Sequence, residues 1–128
     1  MGMWVILIGD ERFNIGTIKN MKFTGCERMA EHEEKQLDVF YKKGYVSFQY
    51  DYDGLIRGGY SQEEIACLPY KEPHFILMQY TDLDLLKRII GSTDFPKDIL
   101  IDCDGVNLGL EQIVDDARLL NTEMWWLY

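Results

Sequence analysis

Two patterns of apolar spacing alternate along this chain. Trp4-Val5-Ile6-Leu7-Ile8 is a continuous apolar run that stops at Gly9-Asp10, the form of a strand buried on both faces. Phe13 to Phe23 fits a strand or a helix about equally: Phe13, Ile15, Thr17 and Met21 alternate, whereas Ile15, Ile18 and Met21 or Lys22 follow a helical stripe. Thr24-Gly25-Cys26-Glu27 has capping-box spacing. Behind it Met29, Ala30, Glu33, Leu37, Phe40 and Tyr41 fall near one helical face, with Lys42, Lys43 and Gly44 suited to a helix end. This spacing predicts a helix over 26–43.

From Tyr45 to Asp53 the period becomes two. Val46, Phe48, Tyr50 and Tyr52 share one face, and Ser47, Gln49, Asp51 and Asp53 the other, which predicts a half-exposed strand. Residues 54–60, with Gly58-Gly59, read as a loop or a bent hairpin. Ser61-Gln62-Glu63-Glu64 is a second capping box and opens a short helix to about Leu68, ended by Pro69. Residues 73–80 read as a central strand. Thr81-Asp82 then caps a helix with Leu83, Leu86, Ile89 and Ile90 inward and Gly91 at its end. Ile99-Leu100-Ile101 is a short strand, Leu110, Ile113, Val114 and Ala117 mark a last helix, and Met124-Trp125-Trp126-Leu127-Tyr128 forms an aromatic tail expected to fold back onto the sheet. Strand–helix–strand joints favour parallel strands. The expectation is therefore one α/β (α+β) domain over 1–128: a mixed sheet of about four to five strands with packed helices, in a single layer or a two-layer sandwich.

Composition narrows the function classes. The 128 residues carry a net charge of −9. A nucleic-acid binder needs a basic stripe to displace counterions, and an acidic surface repels anionic lipid, so neither partner is expected. The first apolar run lacks a basic flank and is far shorter than the roughly 20 residues of a membrane span. Cys26, Cys67 and Cys103 are odd in number and widely spaced, which suits small buried thiols of a reducing, cytoplasmic compartment. His32 and His74 form no ligand or catalytic pair, no phosphate-cradling glycine loop is present, and no cofactor is expected.

The sharpest local motif is Ile99-Leu100-Ile101-Asp102-Cys103-Asp104-Gly105-Val106. It resembles the first motif of the haloacid dehalogenase phosphotransferases. By that resemblance Asp102 would be the nucleophile on phosphorus and Asp104 the general acid, both helping to hold magnesium. The resemblance covers eight residues. In that family the motif opens the chain, with the remaining motifs over a hundred or more residues after it, whereas 23 residues without lysine follow Gly105 here. A strand closed by an Asp-Gly turn accounts for the same residues. Phe48-Gln49-Tyr50-Asp51-Tyr52-Asp53-Gly54 repeats the pattern, and four carboxylates from the two strand ends could share a cation if they converged.

The stretch from Tyr50 to Glu72 interleaves acids with tyrosines. Tyrosine offers contact area at low entropic cost and carboxylates steer a basic protein inward. Asp51, Asp53, Tyr60, Glu63, Glu64 and Glu72 are the candidate partner-binding residues. In size, acidity and absence of a catalytic set the chain resembles, as a class, the immunity proteins of bacterial toxin systems. That resemblance implies a non-catalytic protein that covers the active site of a basic toxin. The alternatives are a magnesium-dependent phosphatase-like enzyme built on Asp102 and Asp104, or a structural or regulatory subunit that dimerises through its aromatic tail.

Overall fold

The computed structural model describes residues 3–92, 94–96, 99–102 and 119–121. Its strands are β1 (Met3–Gly9), β2 (Arg28–His32), β3 (Gln36–Tyr41), β4 (Gly44–Tyr50), β5 (His74–Tyr80), β6 (Leu100–Asp102) and β7 (Leu119–Asn121). Its helices are α1 (Ile15–Lys19), α2 (Gln62–Ala66) and α3 (Leu83–Ile90), with a 3-10 turn over Arg57–Gly59. The strands form one sheet in the order β2-β3-β4-β5-β1-β6-β7, and every neighbouring pair is antiparallel.

The α+β class agrees with the sequence reading, but the sheet is larger than four to five strands and is not mixed. The crossover from β5 through α3 to β6 explains the second difference. Because β5 and β6 both run antiparallel to β1, they point the same way, as a strand–helix–strand joint favours. β1 lies between them and removes the parallel pairing.

The helix expected over 26–43 is instead the β2–β3 hairpin. Leu37, Val39 and Tyr41 turn to one face while Gln36, Asp38 and Phe40 turn to the other, a period of two that the looser helical stripe concealed. Thr24-Gly25 is a turn, with Gly25 at φ 86°, and not a helix cap. The hairpin reverses through Glu33 and Glu34, both left-handed at φ 53° and 61°, and Lys35 N–H closes the turn onto His32 C=O at 2.9 Å. Two consecutive positive φ values are the mark of a type I′ turn, which glycine and asparagine favour and glutamate does not. Left-handed backbone costs an ordinary residue roughly 1–2 kcal/mol. Replacing Glu33 with Asn and Glu34 with Gly is therefore expected to stabilise the fold by about 1 kcal/mol. Urea unfolding checks this; an unchanged midpoint would refute the strain.

Each sheet face buries its own cluster. Val5 and Leu7 of β1, Leu37 and Val39 of β3, Val46 and Phe48 of β4, and Ile76, Met78 and Tyr80 of β5 form the main core under α1 and α3. α3 is capped by Asp82, whose carboxylate accepts Leu85 N–H at 2.8 Å, and it buries Leu85, Leu86, Ile89 and Ile90. An eight-residue helix is marginal alone, so this apolar stripe holds it in place. On the opposite face Ile8 and Phe75 pack with Leu68, joined by Ile56, Tyr60, Ile65 and Tyr70. Helices thus cover one face, and the 51–72 segment covers a corner of the other. Among the described residues no helix is long and apolar enough to cross a membrane. Cys67 is exposed and Cys26 half-buried, so neither is the buried thiol that its spacing suggests. Cys103, Asp104, the helix expected around Leu110 to Ala117, and Trp125-Trp126 lie outside the described residues.

Candidate interaction surface

β4 ends at Tyr50, so Asp51, Tyr52 and Asp53 lie beyond the strand that the alternation predicts. Asp51 N–H still reaches Phe75 C=O at 3.0 Å, but the chain then turns away. The Asp51 carboxylate accepts Ile56 N–H at 2.8 Å and Arg57 N–H at 2.9 Å, bracing the loop ahead of the 3-10 turn. Gly54, at φ 78°, takes the reversal that a side chain would strain. Asp53 accepts Leu55 N–H at 3.2 Å and remains exposed. This D-x-D-G stretch is a loop whose first acid is engaged by backbone.

The other candidates divide in the same way. Glu64 completes the second capping box: its Oε1 accepts Ser61 N–H at 2.8 Å, and Ser61 Oγ accepts Glu64 N–H at 3.1 Å. Tyr60 is half-buried, its ring lying 5.2 Å from that of Phe75 and its hydroxyl donating to Asp102 at 2.6 Å. Glu63 and Glu72 are exposed. Asp51, Tyr60 and Glu64 therefore hold the segment together, while Asp53, Glu63 and Glu72 are its outward acids. The segment also exposes two large apolar side chains, Tyr52 at 60% and Leu55 at 77%.

Asp102 ends β6, pairing with Ile6 of β1, and is only 5% exposed. Among the described residues no group of three or more His, Cys, Asp or Glu side chains gathers as metal ligands. Asp51 and Asp53 form no such group with Asp102.

One polar cluster escaped the sequence reading, because it exists only once the hairpin forms. On the sheet face opposite α1 and α3, Asp38 accepts hydrogen bonds from Ser47 Oγ at 2.7 Å and Gln36 Nε2 at 2.9 Å, and His32 Nε2 lies 3.0 Å from its second oxygen. Serine, aspartate and histidine are present, but in the wrong order for nucleophilic catalysis. The hydroxyl is bonded to the carboxylate, so no imidazole is placed to take its proton. Burial pushes the Asp38 carboxyl up, and the hydrogen bonds from Gln36, Ser47 and His32 outweigh that and hold it below the ordinary aspartate value. A carboxyl depressed by folding stabilises the fold above its unfolded value, near pH 3.9, and loses that contribution as pH falls through the folded value. Asp38→Asn is thus expected to be less stable than the parent at pH 6, with the gap shrinking below pH 4; parallel stability curves for the two proteins would refute this.

At the end of β4, Tyr50 Oη and His74 Nδ1 are 3.1 Å apart, and that nitrogen is 3.2 Å from Phe13 C=O. Burial raises the Tyr50 hydroxyl pKa, and the nearby charges of Asp51 and Glu72 raise it further.

Comparisons of the chain with protein-family models, with curated proteins and with solved structures gave no match.

Proposed function

We propose that this chain is a non-catalytic protein-binding domain, in the manner of an immunity protein that neutralises a basic toxin by covering its active site. The observation that carries the reading is the exposure of Tyr52 and Leu55 in a loop that also presents Asp53. Large apolar side chains at the surface supply contact area once a partner excludes water from them. Carboxylates beside them select a cationic partner and speed its approach, an effect enlarged by the net charge of −9. Asp51, Tyr60 and Glu64 support this surface from within, and Asp53, Glu63 and Glu72 meet the partner. A cytoplasmic location suits the free thiols at Cys26 and Cys67.

The test is capture from a lysate of the source organism at low and at high salt, comparing the parent with a variant carrying Asp53→Lys, Glu63→Lys and Glu72→Lys. These side chains are exposed, so the variant should fold. The expected result is a basic protein held by the parent at low salt, released at high salt and lost by the variant. Equal retention by parent and variant would remove this surface from the reading.

A further inference from the structure

A groove of about 700 Å³ opens where the β2–β3 turn meets the loop after β4. It is lined by Tyr50, Tyr52, Leu55 and Ile56 together with Glu31, Glu33, Asp51 and Asp53. Glu31 is paired with Lys19 at 2.7 Å. Lys35 lies among the other carboxylates, its Nζ 4.3 Å from the centre of the Tyr52 ring and 3.7 Å from Glu33. The backbone fixes that placement. Lys35 closes the left-handed turn through its N–H, and its C=O accepts Tyr50 N–H at 2.8 Å, so the lysine starts beside the end of β4. Tyr52 N–H then reaches Tyr50 C=O at 2.9 Å, which sets the tyrosine alongside. An aromatic face that already holds an ammonium, beside Asp51 and Asp53, which add negative charge beyond the Lys19–Glu31 and Lys35–Glu33 pairs, is suited to a cation from outside.

We infer that this groove seats an arginine or lysine side chain of a basic protein partner on the Tyr52 ring, and that Lys35 occupies the same position in the free protein. The inference rests on the protein-binding reading above and narrows its centre to the groove between the hairpin tip and the loop that carries Tyr52 and Leu55. A guanidinium would lie flat on the ring and reach Asp53 and Glu33, whereas Lys35 offers one point charge on a flexible stem. The partner side chain displaces Lys35 toward solvent, and the exposed Leu55 is covered by the chain that carries it.

The test uses a capped hexaarginine peptide, with hexaglutamate as control, followed by NMR on the Tyr52 ring and the Lys35 ε-methylene protons. Hexaarginine is expected to shift the Tyr52 ring signals and to move the Lys35 protons downfield as they leave the ring. Lys35→Met removes the competitor and its like charge, and should tighten the peptide by about fivefold at low salt. Tyr52→Leu should weaken it by about threefold or more. Both side chains are exposed, and the amide spectrum of each variant reports its fold directly. Shifts confined to α2 would overturn the groove while leaving a basic partner in place elsewhere. No binding, or equal affinity for the parent and Lys35→Met, would overturn the groove itself. The protein-binding reading is judged separately, by capture with the triple lysine variant.

Discussion

Phe75→Ala is expected to lower the unfolding free energy by roughly 3–5 kcal/mol, a large part of the 5–15 kcal/mol that holds a domain together. The side chain is 2% exposed and sits on the sheet face opposite α1 and α3. It touches the smaller cluster with Ile8 and Leu68, and its ring meets that of Tyr60. The cavity left behind lies under the 51–72 segment, whose apolar anchor to the sheet is this cluster, beside the hydrogen bonds made by Asp51 and Tyr60. The damage should therefore be local before it is global. Trypsin should cut after Arg57 and Lys71, both exposed, faster in Phe75→Ala than in the parent under conditions where the sheet is intact. Met78→Ala is the control. Met78 lies on the same strand but in the main core, and its loss costs a comparable 2–5 kcal/mol. It should lower the urea midpoint without favouring those two cleavages. Equal cleavage of the two variants would mean that the segment is not held by the Phe75 cluster.

The parts of this fold legible in the sequence are those where one local pattern had no rival. The apolar run at Val5 to Ile8 is covered on both faces, by the main core at Val5 and Leu7 and by the second cluster at Ile6 and Ile8. The capping signals at Ser61 and Asp82 mark real helix starts because their side chains reach the backbone donors three residues on. The β2–β3 hairpin was illegible for a specific reason. Its turn carries no glycine, asparagine or proline, and two glutamates accept a backbone that glutamate disfavours. With the turn hidden, Leu37 and Tyr41 satisfy a helical spacing as well as a strand. That one substitution of hairpin for helix also hid the Asp38 cluster and the groove, since His32, Ser47, Lys35 and Tyr52 meet only across the hairpin. Asp51 illustrates the converse. An acid count treats it as surface charge, but the backbone amides of Ile56 and Arg57 engage it.

Tyr60→Phe is expected to cost about 1.5–3 kcal/mol, the range for a hydrogen bond to a charged group, although it removes a single oxygen. The 2.6 Å bond from Tyr60 Oη supplies a donor to Asp102, a carboxylate that folding has largely taken out of water. Phenylalanine keeps the ring against Phe75, so the loss isolates the hydroxyl. Replacing Asp102 with Leu as well removes the buried carboxylate that the Tyr60 hydroxyl serves, and the double variant should recover part of the stability lost by Tyr60→Phe alone. Strict additivity in that cycle would mean that the two side chains do not depend on one another. The pair also separates the two functional readings. An aspartate that attacks phosphorus needs an accessible, unshared oxygen in line with the phosphate, and Asp102 is enclosed and shares one with a phenol. A structural Asp102 requires that Asp102→Asn changes the urea midpoint while leaving magnesium-dependent phosphate release at the buffer rate in both proteins. Release by the parent that disappears in Asp102→Asn would make the carboxylate chemical after all, with Tyr60 as the group that positions it.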